Sequence, residues 1–153
     1  MAWNRKLQQA RRMLDQKLQG LQPTEQYRPP AKGWIRAIRN SLGLSSANLG
    51  NLVGVRSQSI DDLERNEAAG SISLDALRRV ASAMDCTLVY ALVPNDSLET
   101  LVQRRAENLA RVAVTGITHT MALEDQAVVG TQQQQIDGYI EDHISERDLW
   151  RQG

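Results

Sequence analysis

A short polar run near the middle of the chain carries the side chains best suited to recognition chemistry. The run comprises Arg56, Ser57, Gln58 and Ser59 and follows a glycine at position 54. A glutamine amide holds both a donor and an acceptor, and adenine offers the complementary pair in the major groove of DNA. Such a contact is worth roughly 1–3 kcal/mol of base discrimination. The polar run could therefore contact base edges, and Gln58 is the side chain best suited to do so.

Two more polar positions belong to this candidate base-reading set. Ser46 begins the segment before the run and is expected to contact a phosphate or a base. Asp62 either accepts a hydrogen bond from a cytosine amino group or points away from the duplex. Asp61 and Asp62 also bring negative charge close to phosphates, which repel it. Most of the affinity must therefore come from basic residues elsewhere in the chain.

Basic residues before the polar run are the candidates for phosphate contacts. They are Lys32 and Arg36 together with Arg5, Lys6, Arg11 and Arg12 near the start of the chain. The alternative interpretation is that these side chains form an ordinary solvated helix surface.

The sequence offers no pattern for catalysis or for a bound metal or cofactor. It has no glycine-rich phosphate loop and no serine or cysteine nucleophile beside a paired histidine. His119 and His143 each lack a second ligand at metal-binding spacing. Cys86 is the only cysteine and stands in an apolar run, where a buried and inert thiol is expected. We expect a protein that is not an enzyme and that requires no cofactor.

Charge is distributed unevenly along the 153 residues, although the formal net charge is zero. Residues 1–79 hold 13 Lys and Arg against 7 Asp and Glu, whereas residues 80–153 hold 5 against 11. A basic first half suits contact with phosphates, and chance segregation of solvated charge is the alternative. No apolar run approaches the length of a membrane span, and Met1 to Gln22 does not resemble a signal peptide. We expect a soluble, cytoplasmic protein.

The elements that position these side chains can be predicted from periodicity. Residues 1–22 form a basic amphipathic helix, and residues 23–33 form an extended linker rich in proline. Residues 34–86 contain four short helices in about fifty residues. Ser45 and Ser73 are expected to cap two of them. Gly54 is expected to end the helix that precedes the polar run.

Residues 87–94 carry the strongest strand signal, because Thr87 to Val93 is apolar, aromatic and β-branched and a proline follows. A lone strand needs a partner for its backbone groups. We predict that it pairs with the same strand of a second copy and makes a homodimer. The alternative is that it packs as a buried extended segment within one chain.

Residues 97–153 are predicted to form an acidic helical extension. Ser97 caps a helix that is expected to end at Gly116, and a further short helix runs from Thr118 or His119 to Val129. A final helix follows Gly130. The predicted fold class is therefore mainly α, with one dimerising strand.

Residues 44–65 resemble the helix-turn-helix domains of the phage-repressor family. The resemblance rests on Gly50 at the helix crossing, the turn at Gly54 and Val55, and the pattern Ile60, Leu63 and Glu64. It implies a lambda-repressor-like domain of the XRE type whose second helix enters the major groove. By this resemblance Arg56, Ser57, Gln58 and Ser59 lie at the exposed N-terminal end of that helix, with Gln58 as the leading base reader, and Ser46 starts the helix before it. It also implies a structural ion pair between Arg39 and Glu64, and a dimer that binds an inverted repeat in double-stranded DNA.

A wider stretch is similar to the family catalogued as mobile mystery protein A. The similar segments are Arg28 to Arg39, Leu77 to Arg79, Cys86 to Pro94 and His119 to Gln126. This resemblance implies an antitoxin and autoregulator on a mobile element, with a Fic-domain toxin as partner. Thr120 and Glu124 match the Ser/Thr-x-x-x-Glu pattern of Fic inhibitory helices. In those helices the glutamate pairs with an active-site arginine and so keeps it from the nucleotide γ-phosphate. The alternative for these two residues is an ordinary solvated helix.

Overall fold

The computed structural model describes residues 3–124 and 130–151. The chain divides into two compact units. The central unit is formed by residues 23–91, and the terminal unit by residues 1–22 together with 92–153. Each unit has its own cluster of buried apolar side chains.

The described residues are mainly helical, as the sequence predicts. The α-helices are α1 Arg5–Leu18, α2 Trp34–Ser41, α3 Ser46–Val53, α4 Ser57–Ala69, α5 Leu74–Ala83, α6 Leu98–Leu123 and α7 Gln132–His143. Short 3-10 turns occupy Gln19–Leu21, Thr24–Tyr27 and Asp148–Trp150. Within residues 23–33, which we predicted to be an extended linker, Thr24–Tyr27 forms a short turn, and residues 23–33 belong to the central unit.

Serine caps begin three of the helices at the predicted positions. The Ser45 side chain accepts a hydrogen bond from the backbone N–H of Asn48, and the Asn48 side-chain oxygen accepts one from the backbone N–H of Ser45. Ser73 and Ser97 cap α5 and α6 through the N–H three residues on. Each side-chain oxygen satisfies a donor that has no partner within the helix, which fixes where the helix begins.

The core of the central unit brings together helices that are individually too short to be stable alone. Leu49 of α3 and Ile60 of α4 are fully buried, and Val80 of α5 is nearly so. Ile35 and Met84 complete this cluster. Since isolated helices of this length are marginal in water, burial of these side chains holds α2 to α5 together.

The core of the terminal unit forms around one face of α6. Val102, Ala106, Ala110 and Val114 recur every four residues and are buried. They pack with Ile136, Ile144 and Leu149 from the last part of the chain. The small alanines at the centre of this face allow the neighbouring segments to approach α6 closely.

Helix α1 belongs to the terminal unit and is joined to the start of α6 by charged side chains. Arg11 Nε lies 2.8 Å from Glu99 Oε2, and the two side chains are 12% and 33% exposed. The carboxylate of Asp15 accepts hydrogen bonds from the backbone N–H groups of Leu98 and Glu99 at 2.7 and 3.2 Å. Asp15 therefore supplies a second cap to α6 from a distant part of the sequence.

The long helix α6 corrects two predicted boundaries. It continues through Gly116 to Leu123, so the helix that we predicted to end at Gly116 does not end there. The separate helix predicted from residue 118 or 119 begins instead as the last turns of α6. Its predicted remainder includes residues 125–129, which lie outside the described residues.

The strand predicted at residues 87–94 is not found, and the described residues contain no strand. Residues 87–93 have no regular structure, and no backbone hydrogen bond joins them to another described residue. Val89, Tyr90 and Leu92 are 82%, 64% and 90% exposed. The alternative prediction of a buried extended segment is also wrong, because these apolar side chains face solvent.

In the part of the chain that the structure describes, no helix combines the length and the apolar character needed to cross a membrane.

Candidate nucleic-acid interface

The crossing of α3 and α4 depends on a glycine. A Cβ atom at Gly50 would lie 2.6 Å from the carbonyl oxygen of Val55 and 3.2 Å from the carbonyl carbon of Arg56. Both neighbours are backbone atoms, which cannot move aside as a flexible side chain can. Gly50 is therefore the residue that lets the two helices approach each other.

The turn between the two helices is closed by the same residue. The backbone N–H groups of Gly54 and Val55 both donate to the carbonyl oxygen of Gly50 at 2.8 Å. Gly54 has φ = +89° and ψ = +29°, in the left-handed region that glycine adopts without strain. This tight turn sets the direction in which α4 leaves.

The middle of α4 is fixed to the core on one face. Ile60 is fully buried, and the buried carboxylate of Glu64 binds the guanidinium of Arg39 on α2. Arg39 Nε and Nη2 donate to the two Glu64 oxygens at 2.5 and 3.1 Å, and Nη1 donates to the carbonyl of Leu44 at 2.9 Å. The hydrogen bond to Glu64 raises the pKa of Arg39 above its ordinary value. This bidentate pair ties α4 to α2.

The first turn of α4 lies at the surface. Arg56 is the N-cap residue and makes no side-chain capping bond, and Arg56, Ser57 and Gln58 are all exposed. Ser59 is half-buried. The predicted base-reading residues of this run therefore stand at an open helix N-terminus, with Ser59 set back toward the core.

Acidic residues of α4 engage two of the predicted base readers. Ser46 is half-buried, and its hydroxyl donates to Asp61 at 2.7 Å. The side-chain nitrogen of Gln58 donates to Asp62 at 3.3 Å, and Asp62 also pairs with Arg65 at 3.2 Å. In this structure, Asp61 and Asp62 thus bind neighbouring side chains of the same unit.

Most of the predicted phosphate contacts are exposed cations. Lys32 and Arg36 lie at the start of α2 in the central unit, while Arg5, Lys6 and Arg12 lie on α1 in the terminal unit. Arg11 differs from the others. Its side chain is 12% exposed and bound to Glu99, so in this structure its charge is already paired.

Sequence reasoning missed Glu67, which caps α2. Its two carboxylate oxygens accept hydrogen bonds from the backbone N–H groups of Trp34 and Ile35 at 2.8 and 2.9 Å. Gly33 precedes them with φ = +89°, and a Cβ there would lie 2.6 Å from Glu67 Oε1. The glycine in front of α2 was the available signal, but nothing in the sequence indicated a partner 32 to 34 residues away.

Thr120 and Glu124 lie in the terminal unit at the end of α6. Both are exposed. The Thr120 hydroxyl donates to the carbonyl of Gly116 at 3.0 Å, and the backbone N–H of Glu124 donates to the carbonyl of Thr120 at 3.1 Å. The two residues are one helical turn apart, and Ile117 and Leu123 add exposed apolar surface to the same helix end.

Metal chemistry finds no support in residues 3–124 and 130–151. No three or more His, Cys, Asp or Glu side chains come together there in a way that could hold an ion.

Comparison with known proteins identifies the central unit. Residues 35–90 match the family model described as Helix-turn-helix. This range begins in α2, includes the Gly50 crossing and the Gly54 turn, and ends beyond α5. No curated protein and no solved structure matches the chain. Residues 35–90 are therefore similar to the helix-turn-helix family, while the narrower resemblance to the mobile mystery protein A family stays a prediction.

Proposed function

We propose that the chain is a sequence-specific DNA-binding transcription regulator. The observation that carries this proposal is the first turn of α4, where Arg56 and Gln58 are exposed while Ile60 and Glu64 hold the rest of the helix to the core. A rigidly held helix with a polar, open N-terminus is what major-groove reading requires. The match of residues 35–90 to the helix-turn-helix family supports the same function.

The residues of this tip fit different parts of a duplex. Gln58 can pair with a base edge, while Arg56 can donate to guanine or to a phosphate. Ser57 and Ser59 are candidates for shorter contacts, Ser59 from its half-buried position. The backbone N–H groups of Ser57 and Gln58 also favour a phosphate, because they have no backbone acceptor among the described residues.

The direct test combines selection of a binding sequence with two matched double variants. Duplexes are selected from a random pool by the wild-type protein, and Kd is measured for the selected and a scrambled duplex. Arg56→Ala with Gln58→Ala is expected to lower the specificity ratio at least tenfold, since bidentate base contacts are worth roughly 1–3 kcal/mol each. Asn108→Ala with Arg111→Ala removes one carboxamide and one guanidinium group, as the α4 double variant does, from exposed positions on α6 and is expected to change little.

Retention of the specificity ratio by the α4 double variant would show that the recognition helix is assigned wrongly.

Phosphate contacts by Lys32 and Arg36 would appear in the salt dependence. Each contact contributes about 0.9 to the slope of log K against log salt concentration on duplex DNA. Lys32→Ala and Arg36→Ala should each reduce that slope by about 1 and weaken binding to all sequences alike.

We also propose that the regulator is a homodimer that pairs through residues 87–93. Seven consecutive residues there have backbone groups without a hydrogen bond to any described residue, and their apolar side chains Val89 and Leu92 are almost fully exposed. An identical segment arranged antiparallel supplies matching donors, acceptors and apolar surface, as a two-fold axis requires. The dimer would place two recognition helices on half-sites about 34 Å apart.

The dimer is tested by a charge placed in this segment. Val89→Glu is expected to yield a monomer by sedimentation equilibrium and to abolish preference for an inverted repeat over a single half-site. Val112→Glu on α6 is the control, because Val112 is also a valine and, at 76%, is about as exposed as Val89. An unchanged dimer in Val89→Glu would contradict this interface.

A second candidate function is that of an antitoxin that represses its own promoter and inhibits a Fic-type AMP-transferase. The supporting observation is that Thr120 and Glu124, which match the inhibitory pattern, are both exposed at one helix end. A glutamate there can reach an arginine in a partner's cleft. Such a protein would be encoded on a mobile element beside its Fic-domain toxin.

The neighbouring gene is the first test of this second function, because an adjacent Fic coding sequence supports it. Glu124→Ala is then expected to relieve inhibition of AMP transfer by the purified toxin, whereas Glu107→Ala, an exposed glutamate elsewhere on α6, is not. Full inhibition by the Glu124 variant would remove the proposed chemistry.

A further inference from the structure

One stripe along α4 links the candidate base reader to two charged residues. Gln58, Asp62 and Arg65 are spaced by four and three residues, which places them on one side of the helix. The Gln58 Nε2 atom donates to Asp62 Oδ1 at 3.3 Å, and Arg65 Nη1 lies 3.2 Å from the same oxygen. Arg65 thus partly neutralises the carboxylate, which lowers its repulsion of phosphates.

The contact with Asp62 is selective for one orientation of the Gln58 amide. An ionised carboxylate accepts hydrogen bonds and cannot donate them, so it attracts the amide nitrogen and repels the amide oxygen. The carbonyl oxygen of Gln58 and the second N–H are then the groups left for a partner. Of the purines in the major groove, adenine offers a donor beside an acceptor, while guanine offers two acceptors.

We infer that Asp62 is a positioning residue that sets the base preference of Gln58 by holding its amide in the orientation that fits adenine and opposes guanine. The inference rests on the proposed DNA-binding function and deepens it. Asp62 itself need not touch a base, because it acts through the amide that it holds. Its negative charge on a DNA-facing helix therefore has a use that the sequence alone did not reveal.

The test compares Asp62→Asn with a matched charge change at the next residue. Asparagine has the same shape but can turn either its oxygen or its nitrogen toward Gln58, so the glutamine amide is free to flip. Asp61→Asn removes the same charge from the same helix, and Asp61 contacts Ser46 instead of Gln58. Both variants should bind all duplexes more tightly at low salt, since each removes one repulsive charge.

The measured quantity is the ratio of Kd values for duplexes with guanine and with adenine at the position whose preference is lost in Gln58→Ala. Asp62→Asn should reduce this ratio about tenfold, which lies within the range for one bidentate contact, and leave the other positions unchanged. Asp61→Asn should leave the ratio at the Gln58 position intact. In the Gln58→Ala background, Asp62→Asn should have no effect on the ratio.

The outcomes separate the inference from the function beneath it. An unchanged ratio in Asp62→Asn, with wild-type selectivity and the Gln58→Ala loss both present, overturns the inference alone. A loss of selectivity at every position in Asp62→Asn also overturns it, because that result indicates a general structural role. A wild-type protein that selects no sequence overturns both the function and the inference.

Discussion

Carboxylates that act at a distance determine much of this structure at the scale of single residues. Glu67 satisfies the first N–H groups of α2, Asp15 those of α6, and Glu64 holds α4 against α2 through Arg39. Each binds donors that would otherwise be left without a partner near a helix end or in the core. These residues contribute to the site by fixing the helices that carry it.

The Arg39–Glu64 pair leads to a prediction about stability. Arg39→Ala should lower the free energy of unfolding by about 3 kcal/mol, because Glu64 would be left as an unpaired charge with a side chain 8% exposed. Arg79→Ala is the control, since its partner Asp75 is 3.8 Å away and both are well exposed. That variant should lose less than about 1 kcal/mol.

Urea unfolding followed by circular dichroism measures both variants. Equal and small losses would mean that Glu64 finds other partners, and the bidentate pair would then not be what fixes α4.

A second prediction concerns the pKa of a carboxyl group in the terminal unit. The Ser145 hydroxyl, and then its backbone N–H, donate to Asp148 and hold the pKa of that carboxyl below its ordinary value. A group with a lowered folded-state pKa contributes stability above its unfolded pKa, and this contribution is lost as pH falls through the folded value. Ser145→Ala should therefore raise the Asp148 pKa toward that of an ordinary aspartate.

Carboxyl carbon NMR titration of Asp148 gives this pKa directly.

At the scale of elements, local signals predicted where most helices begin. They did not predict the end of α6 or the structure of residues 87–94, which depend on contacts with other segments. The caps at Ser45, Ser73 and Ser97 are local, so the sequence predicts them well. Gly116 costs about 1 kcal/mol in a helix, yet α6 continues through it to Leu123, and Thr118 and Met121 beyond it are half-buried. Residues 87–93 form no strand within the single chain, because no described residue pairs with their backbone groups.

Local signals also predicted part of the candidate site. Gly50 and Gly54 lie within a few residues of each other and together predict the close crossing of α3 and α4. The caps from Glu67 and Asp15 instead join segments that are distant in sequence. A carboxylate looks the same in sequence whether it caps a remote helix or faces solvent. The four-residue spacing of Gln58 and Asp62 predicts that they are neighbours on a helix. Only the structure shows that the amide nitrogen of Gln58 faces Asp62.

Two glycines in helices should respond oppositely to alanine. Gly50→Ala should destabilise the protein by about 1–3 kcal/mol and weaken DNA binding, because its Cβ would lie 2.6 Å from a backbone oxygen. Gly116→Ala should stabilise it by about 0.5–1 kcal/mol, since nothing lies within 4 Å of a Cβ there. Thermal unfolding of both variants checks the signs, and a stabilising Gly50→Ala would contradict the close crossing.

At the scale of the whole molecule, the uneven charge of the sequence has a different meaning from the one we predicted. The basic helix α1 and the acidic residues after 92 belong to the same unit, where Arg11 binds Glu99. Part of the basic first half therefore balances charge within the terminal unit. The interpretation that its cations all face phosphates is too broad, and the exposed residues of the central unit become the stronger candidates.

The division into two units makes a last prediction about cooperativity. The core clusters share no residue, so a defect in one unit should open that unit without opening the other. Asp15→Ala and Glu67→Ala provide matched defects, because each removes a carboxylate that caps a distant helix with two hydrogen bonds. Each should cost about 1 kcal/mol in its own unit.

Native-state hydrogen exchange distinguishes the two cases by amide. Asp15→Ala should speed exchange at buried amides of α6, such as that of Ala106, and leave those of Leu49 and Ile60 unchanged. Glu67→Ala should do the reverse. If either variant lowers protection equally in both sets, the chain unfolds as one body, because only a shared opening reaction can expose amides from both cores together. Separate responses would instead mean that the central unit keeps its fold while the terminal unit opens.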